Sequence, residues 1–221
     1  MRRIEKQTEP GELGEWRARH SGDPNFGYSL LSGKAAHEVT KDSLMEEQGW
    51  LCAYTGQSIR RETAHIEHLK PQAHCSPADS VDYRNMVACL PSPNAKSPGY
   101  GAIEKGDWPA PGQAHLFVSP LSPGCEQRFR FDSQGRIRSA NNEDAAATET
   151  IRRLRLDHAS LIQNRSADLE FIDSLGPKQA RSRLAQLESE AGHLTQFCFA
   201  LKQVLAKRIQ ILATIRQQKP L

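Results

Sequence analysis

The hydrophobic positions in the last third of the chain recur with a helical period. Between residues 145 and 175 the periodic apolar positions are Ile151, Leu154, Leu161, Ile162, Leu169 and Ile172. After a break at Gly176-Pro177, two series of apolar residues are spaced seven apart: Leu187, Leu194 and Leu201, and Phe197, Val204 and Ile211. The pattern predicts that residues 145–217 are mostly helical. An intramolecular helical hairpin and a helix that binds a partner explain the heptad spacing equally well.

The middle of the chain has shorter apolar runs separated by proline-rich stretches. Strand-like runs cover residues 65–69, 85–90, 115–118 and 129–131. A turn sequence at residues 132–135 follows the last run, so we expect a β-hairpin appended to the core. Upstream, the pattern predicts one helix over residues 33–49, with Val39, Leu44 and Met45 on its apolar side.

These elements together predict an α+β protein in three parts. Residues 1–44 form an N-terminal arm and helix, and are otherwise polar and rich in turn residues. Residues 45–140 form the core with its appended hairpin, and residues 141–221 form an α-helical region. A hydrophobic fraction of 38% with 25% charged residues is that of a folded chain and excludes a disordered one.

Charge and targeting signals narrow the functional classes only slightly. A net charge of +3 permits nucleic-acid binding without arguing for it. Two arginine clusters, at residues 152–155 and 128–138, would bind phosphates or form an ordinary solvated surface. Without an apolar run of membrane-spanning length or a secretory signal, we expect a cytoplasmic protein with no membrane partner. The five cysteines are scattered, so we expect free thiols or metal ligands rather than disulfides.

The residues that are best suited to catalysis or metal binding lie between positions 52 and 96. Phosphodiester hydrolysis needs a base that titrates near neutrality, for which histidine is suited, and a hard divalent cation held by oxygen ligands. Glu67 and His68 supply an adjacent carboxylate and imidazole. Adjacent side chains on a strand point to opposite faces, so both reach one cleft only if the strand ends there. Pro71 favours such an ending.

A second oxygen donor follows the next strand-like run. Ser92-Pro93 is typical of a helix start, with serine as the N-cap and proline at the first helical position. Asn94 would then lie in the first turn, where its amide oxygen can face a metal ion. A helix N-terminus at that point would also favour phosphate.

This order of residues resembles the HNH nuclease motif, a β-hairpin followed by a helix around one metal ion. The resemblance implies that His68 is the general base and that Glu67 is the acidic metal ligand. It implies that Asn85 braces the loop and orients the base. Asn94 would complete the metal ligands, and Lys96 would contact the substrate phosphate. The implied fold is an HNH ββα-metal core with an appended hairpin and flanking helices.

The resemblance extends beyond the motif to about residue 175. The segments at residues 52–54, 67–71 and 82–85 are similar to the HNH endonucleases associated with retrons and to the nuclease subunit of the Septu antiphage system. That family implies a divalent ion, Mg²⁺ or Mn²⁺, and a nucleic-acid substrate, DNA rather than RNA. It also implies an ABC-like or OLD-like ATPase partner in antiphage defence.

The sequence departs from the HNH pattern at two positions. Many HNH domains hold a structural zinc with two Cys-x-x-Cys knuckles, but Thr55 and Ser92 stand where the second cysteine of each knuckle would be. We therefore expect no zinc, with Cys52 and Cys89 packed as small buried groups. Two alternatives remain open. Instead of a metal-dependent HNH endonuclease of DNA that works with an ATPase, the chain could be a catalytically degenerate HNH-fold adaptor that binds an ATPase, or a toxin nuclease that acts alone.

Overall fold

The computed structural model describes residues 1–217, apart from the side chain of residue 216. The helices are α1 (Gly11–His20), α2 (Tyr28–Leu31), α3 (Ala35–Glu47), α4 (Ala102–Lys105), α5 (Ala145–Arg153), α6 (Ala159–Leu169), α7 (Pro177–Ser189) and α8 (Cys198–Gln217). The strands are β1 (His65–His68), β2 (Met86–Cys89), β3 (Phe129–Phe131) and β4 (Ile137–Ser139). Helices combined with two small antiparallel sheets give the α+β class, as the sequence predicts.

Strands β1 and β2 pair antiparallel, with His65 opposite Cys89 and His68 opposite Met86. All four side chains of β2 are buried, whereas burial alternates along β1. Ile66 and His68 are buried, and His65 and Glu67 are half-buried on the other face. Strand β1 ends at His68, which confirms the predicted ending before Pro71.

The outer edge of β2 is completed by a side chain rather than by a third strand. Gln48, which follows α3 and is 1% exposed, donates hydrogen bonds to the carbonyls of Leu51 and Ala88, both at 2.8 Å. Its Oε1 accepts a hydrogen bond from the Ala88 amide at 2.7 Å. The amide group of Gln48 thereby mimics a neighbouring strand and ties α3 to the hairpin.

The β3–β4 hairpin and its turn at residues 132–135 confirm the predicted appended hairpin. Its turn is held to α6 by Arg165, which is 1% exposed and donates to the carbonyls of Gly135 and Leu156, both at 2.7 Å. The start of α5 is anchored by Asp144, which accepts a hydrogen bond from the Ala147 amide at 2.9 Å and forms an ion pair with Arg128.

Helices α7 and α8 pack against each other as a hairpin, as one of the two interpretations of the heptad spacing predicts. Leu194 and Phe197 lie in the connection between the two helices, so the heptad does not run along a single helix. Ile211 and Ile215 on the distal part of α8 are 44% and 50% exposed. Binding of a partner by this region stays a prediction.

Two predicted elements differ from the structure, and helix α1 was not predicted. Residues 115–118 do not form a strand; Ala114–Leu116 forms a 3₁₀ turn closed by a hydrogen bond from the Phe117 amide to the Ala114 carbonyl at 3.2 Å. The N-terminal arm contains α1, which buries only Leu13 and Trp16 and so has a weak periodic signal.

The predicted helix start at residues 92–94 is also wrong, because residues 90–101 are loop and turn and α4 begins only at Ala102. Pro98 explains this difference. A helix that began at Pro93 would place Pro98 in its interior, where the ring clashes with a carbonyl four residues earlier and provides no amide proton.

Within residues 1–217, none of the helices combines the length and the apolar character needed to cross a bilayer. Buried apolar residues from α1 through α8 form one continuous core. The β1–β2 hairpin lies within this core, and its open face is the location of the candidate site.

Candidate active site

Glu67 and His68 line the same cleft, which has a volume of about 260 Å³. The end of β1 and the turn that follows it form one wall, and α4 forms the opposite wall through Ala102 and Lys105. Strand β1 ends at His68, which allows the side chains of two adjacent residues to reach one cleft.

His68 is held in a single orientation. Its Nε2 lies 2.8 Å from the carbonyl oxygen of Ser80, and its ring packs edge-on against Tyr28 with the centroids 4.6 Å apart. A carbonyl can only accept, so Nε2 carries the proton and Nδ1 keeps its lone pair. Burial lowers the pKa of His68 below its ordinary value of 6.5, which keeps the imidazole neutral at pH 7.

Asn85 braces the loop that presents Ser80. Its Oδ1 accepts a hydrogen bond from the Lys70 amide at 2.7 Å, and its Nδ2 donates to the carbonyls of Lys70 and Asp79, both at 3.2 Å. Because Asp79 directly precedes Ser80, the amide of Asn85 fixes the carbonyl that orients His68. The contacts made by Asn85 thus match the bracing contacts that the resemblance implies.

Glu67 is surrounded by hydrogen-bond donors. Lys105 Nζ lies 2.9 Å from its Oε1, the Tyr54 hydroxyl lies 3.4 Å from the same oxygen, and His65 Nε2 lies 3.8 Å from Oε2. Burial alone would raise the pKa of Glu67. The nearby His65 imidazole and Lys105 ammonium outweigh burial and hold that pKa below its usual value of 4.5. Glu67 is therefore an ionised carboxylate in the cleft.

Lys105 is a cleft residue that sequence reasoning missed. It is 3% exposed, and besides contacting Glu67 it donates a hydrogen bond to the His68 carbonyl oxygen at 2.8 Å. Asp107, just after α4, also lines the cleft. One sequence offers no signal that links these residues to Glu67, because their approach depends on where α4 begins.

Asn94 and Lys96 are not brought into this cleft. Both lie exposed in the loop between β2 and α4, and neither lines the cavity that Glu67 and His68 share. The predicted pair of oxygen ligands, Glu67 and Asn94, therefore does not converge.

The donor set of this conformation does not fit the expected divalent ion. Among the described residues, no three His, Cys, Asp or Glu side chains are arranged to hold a metal. An ammonium group, Lys105 Nζ, already contacts the one carboxylate that was expected to bind the ion.

The knuckle positions form a hydrogen-bonded thiol cluster. Cys52 and Cys89 are buried, and the Leu90 amide lies 3.4 Å from Cys52 Sγ. Burial alone would raise the pKa of the Cys52 thiol. Hydrogen bonds from Cys89, Thr55 and the Leu90 amide outweigh it and lower that pKa to about 5. Thr55, where a knuckle cysteine would stand, is thus one of the groups that lower the pKa of the Cys52 thiol.

Arg138 of one arginine cluster lies on the same side of the molecule as Arg152 and Arg155 of the other. Helix α5 packs on β4, and Arg138 and Arg152 line one shallow groove. Arg152 and Arg155 line the groove next to it. An Arg155 guanidinium nitrogen lies 4.0 Å from a carboxylate oxygen of Glu104, which belongs to α4. The basic grooves therefore adjoin the helix that forms one wall of the cleft.

Comparison with known proteins supports an endonuclease assignment. No protein family model matches the chain. Over 112 residues it is 27% identical to a protein from Vibrio cholerae serotype O1 biovar El Tor described as "Retron Vc95 putative HNH endonuclease". The match covers 50% of this chain and 51% of that protein, so the chain spans about half the length of its relative. This partial similarity supports an HNH endonuclease of the retron-associated type.

Proposed function

We propose that this chain is an HNH-type endonuclease that hydrolyses phosphodiester bonds in DNA. The observation that carries the proposal is the network in which Asn85 holds the Asp79 carbonyl, next to Ser80, and the Ser80 carbonyl holds His68. This network leaves a neutral imidazole with a free Nδ1 lone pair beside an ionised carboxylate. A base of this kind suits hydrolysis at neutral pH.

His68 Nδ1 takes a proton from the attacking water. As the water oxygen forms a bond to phosphorus, the bond from phosphorus to the leaving sugar oxygen breaks, and that oxygen takes a proton from solvent. The bond from Nε2 to the Ser80 carbonyl strengthens as the ring becomes positively charged, so it stabilises the imidazolium that forms. Asn85 keeps that carbonyl in place, which makes it a positioning residue.

A requirement for a divalent cation, Mg²⁺ or Mn²⁺, is part of the proposal because the resemblance implies it. Glu67 is the one predicted ligand that lines the cleft. The roles proposed for Asn94 as a ligand and Lys96 as a phosphate contact require the loop at residues 90–101 to move towards Glu67. Loss of cleavage in EDTA, restored by Mg²⁺ or Mn²⁺ alone, tests the requirement.

The basic grooves supply a surface for the DNA backbone. Arg138 and Arg155 are exposed, and they adjoin the cleft through α4. Arginines bind phosphates without reading sequence, so this surface would position the substrate rather than select a site.

The deciding experiment compares nicking of a supercoiled plasmid by the wild type, by His68→Ala and by His115→Ala. His115 is an exposed histidine outside the cleft, which makes it a matched control. We expect His68→Ala to lower the cleavage rate by about 10²-fold or more, the usual contribution of a general base. The control should cleave like the wild type. Equal rates for wild type and His68→Ala would refute the assignment.

We also propose that the chain acts in antiphage defence with an ABC-like or OLD-like ATPase. The support is the resemblance to retron-associated and Septu nuclease subunits, together with the retron relative. Co-purification with an ATPase encoded beside it tests the partnership, and separate elution of two folded proteins would contradict it.

A second candidate function is a non-catalytic adaptor. The ion pair of Lys105 with Glu67 and the absence of Asn94 from the cleft favour it. If it holds, wild type and His68→Ala give equal background cleavage even with the ATPase present, while both still bind the ATPase.

A further inference from the structure

Lys105 is a charged cleft residue that is almost fully buried. Its side chain is only 1% exposed, and a buried ammonium is costly unless oxygens surround it. Two oxygens do so here, Glu67 Oε1 at 2.9 Å and the His68 carbonyl at 2.8 Å. One cation therefore holds two consecutive residues at the end of β1.

The ammonium lies beside the oxygen, Glu67 Oε1, at which it would meet a bound divalent ion. A Mg²⁺ ion binds carboxylate oxygens at about 2.1 Å, so an ion on Oε1 would come within a few ångströms of Lys105 Nζ. Two cations at that distance in a half-buried cleft repel each other strongly. The cleft cannot keep both at Oε1 in the present arrangement.

Helix α4 has the geometry to move the lysine. It is a single turn, Ala102–Lys105, bounded by Gly101 with φ +84° and Gly106 with φ +50°. Glycine adopts such angles without strain, so backbone rotation at the two ends can shift α4 while longer helices stay intact. Ile103 on this turn is 43% exposed, which leaves one side of α4 without packing against the body of the protein.

We infer that Lys105 is the resident counter-cation of Glu67: it positions the carboxylate and the end of β1 in the metal-free protein, and it competes with a divalent ion for Glu67 Oε1. The inference rests on the proposed function, because it concerns the carboxylate assigned to that site. Lys105 is a positioning residue that also weakens binding of the ion.

The test measures Mn²⁺ binding to the full chain without DNA, from the electron paramagnetic resonance signal of free Mn²⁺. Lys105→Met removes the charge, and Lys105→Gln removes it while keeping a donor for the His68 carbonyl. We expect both to bind Mn²⁺ at least about tenfold more tightly than the wild type, because one repulsive charge is gone. Adding Glu67→Gln to either variant should abolish the gain.

A matched control exists elsewhere in the fold. Lys6 forms a buried ion pair with Glu47 at 2.6 Å, outside the cleft. Lys6→Met should leave Mn²⁺ affinity unchanged. Unchanged affinity in the Lys105 variants, or a gain that survives Glu67→Gln, would overturn the inference.

A second measurement uses the wild type and does not depend on the variants folding. Acetylation of lysines, followed by mass spectrometry, should label Lys105 slowly in the metal-free protein and severalfold faster with Mn²⁺ bound, while Lys6 stays protected. Equal protection of Lys105 in both states would also overturn the inference. Neither readout uses DNA cleavage, so failure of the nuclease assignment and failure of this inference are distinguishable.

Discussion

The edge of β2 that Gln48 completes allows a quantitative test of how the site is supported. In Gln48→Leu, the Ala88 amide proton and the Leu51 carbonyl lose their partner. The Ala88 carbonyl keeps the Ala53 amide as a donor at 3.1 Å. Two buried polar groups without partners cost about 1–3 kcal/mol each, or about 2–6 kcal/mol together.

Burial of the leucine side chain returns about 1–2 kcal/mol of this cost. We therefore expect the free energy of unfolding to fall by about 1–4 kcal/mol, out of the 5–15 kcal/mol typical of a domain. Urea denaturation followed by circular dichroism measures the change, and the slope of the free energy against urea should stay constant.

The matched control is Gln186→Leu, which changes an exposed glutamine on α7 and should alter stability by no more than about 0.5 kcal/mol. A loss in Gln48→Leu that is no larger than in the control would refute the reasoning, since it would show that the outer edge of β2 needs no partner.

Two further predictions concern the loop after β1 and the start of α5. Asn85→Ala removes the side chain that braces the loop at Ser80, and it should slow DNA cleavage about 10- to 100-fold because His68 is misplaced. Circular dichroism should show that the variant is still folded. An unchanged cleavage rate would contradict the bracing role. Asp144→Asn keeps an acceptor for the α5 cap but loses the charge that pairs with Arg128, and should cost about 1 kcal/mol at pH 7. The bond from Arg128 lowers the pKa of Asp144 below 3.8, so the stabilisation is present above that pH and lost as the pH falls through the folded-state pKa. The difference in Tm between wild type and Asp144→Asn should therefore shrink in strong acid, and a constant difference would show that the charge is not its source.

Strand β1 and the β3–β4 hairpin could be predicted because their signals are local. Residues 65–69 form a short strand-like run that ends before Pro71, and residues 132–135 form a turn sequence directly after the run at 129–131. The proximity of Glu67 and His68 followed from where β1 ends.

The wall of the cleft that α4 forms could not be predicted in the same way. The sequence Ser92-Pro93 is typical of a helix start, but Pro98 prevents a helix from continuing there. The contact between Lys105 and Glu67 depends on the path of the whole loop, which no periodic pattern encodes. Gln48 was missed for a similar reason, since a buried glutamine that completes a strand edge looks like an ordinary polar residue at the end of a helix.

Arg165 has a consequence for how the protein opens. Because its guanidinium joins the carbonyl of Gly135 in the hairpin turn to the carbonyl of Leu156 before α6, the hairpin cannot lift away without breaking a charge-assisted hydrogen bond. Burial lowers the pKa of Arg165 only to about 10, so that charge persists at neutral pH. Amide protons of β3, β4 and α6 should accordingly exchange with solvent as one cooperative unit rather than separately.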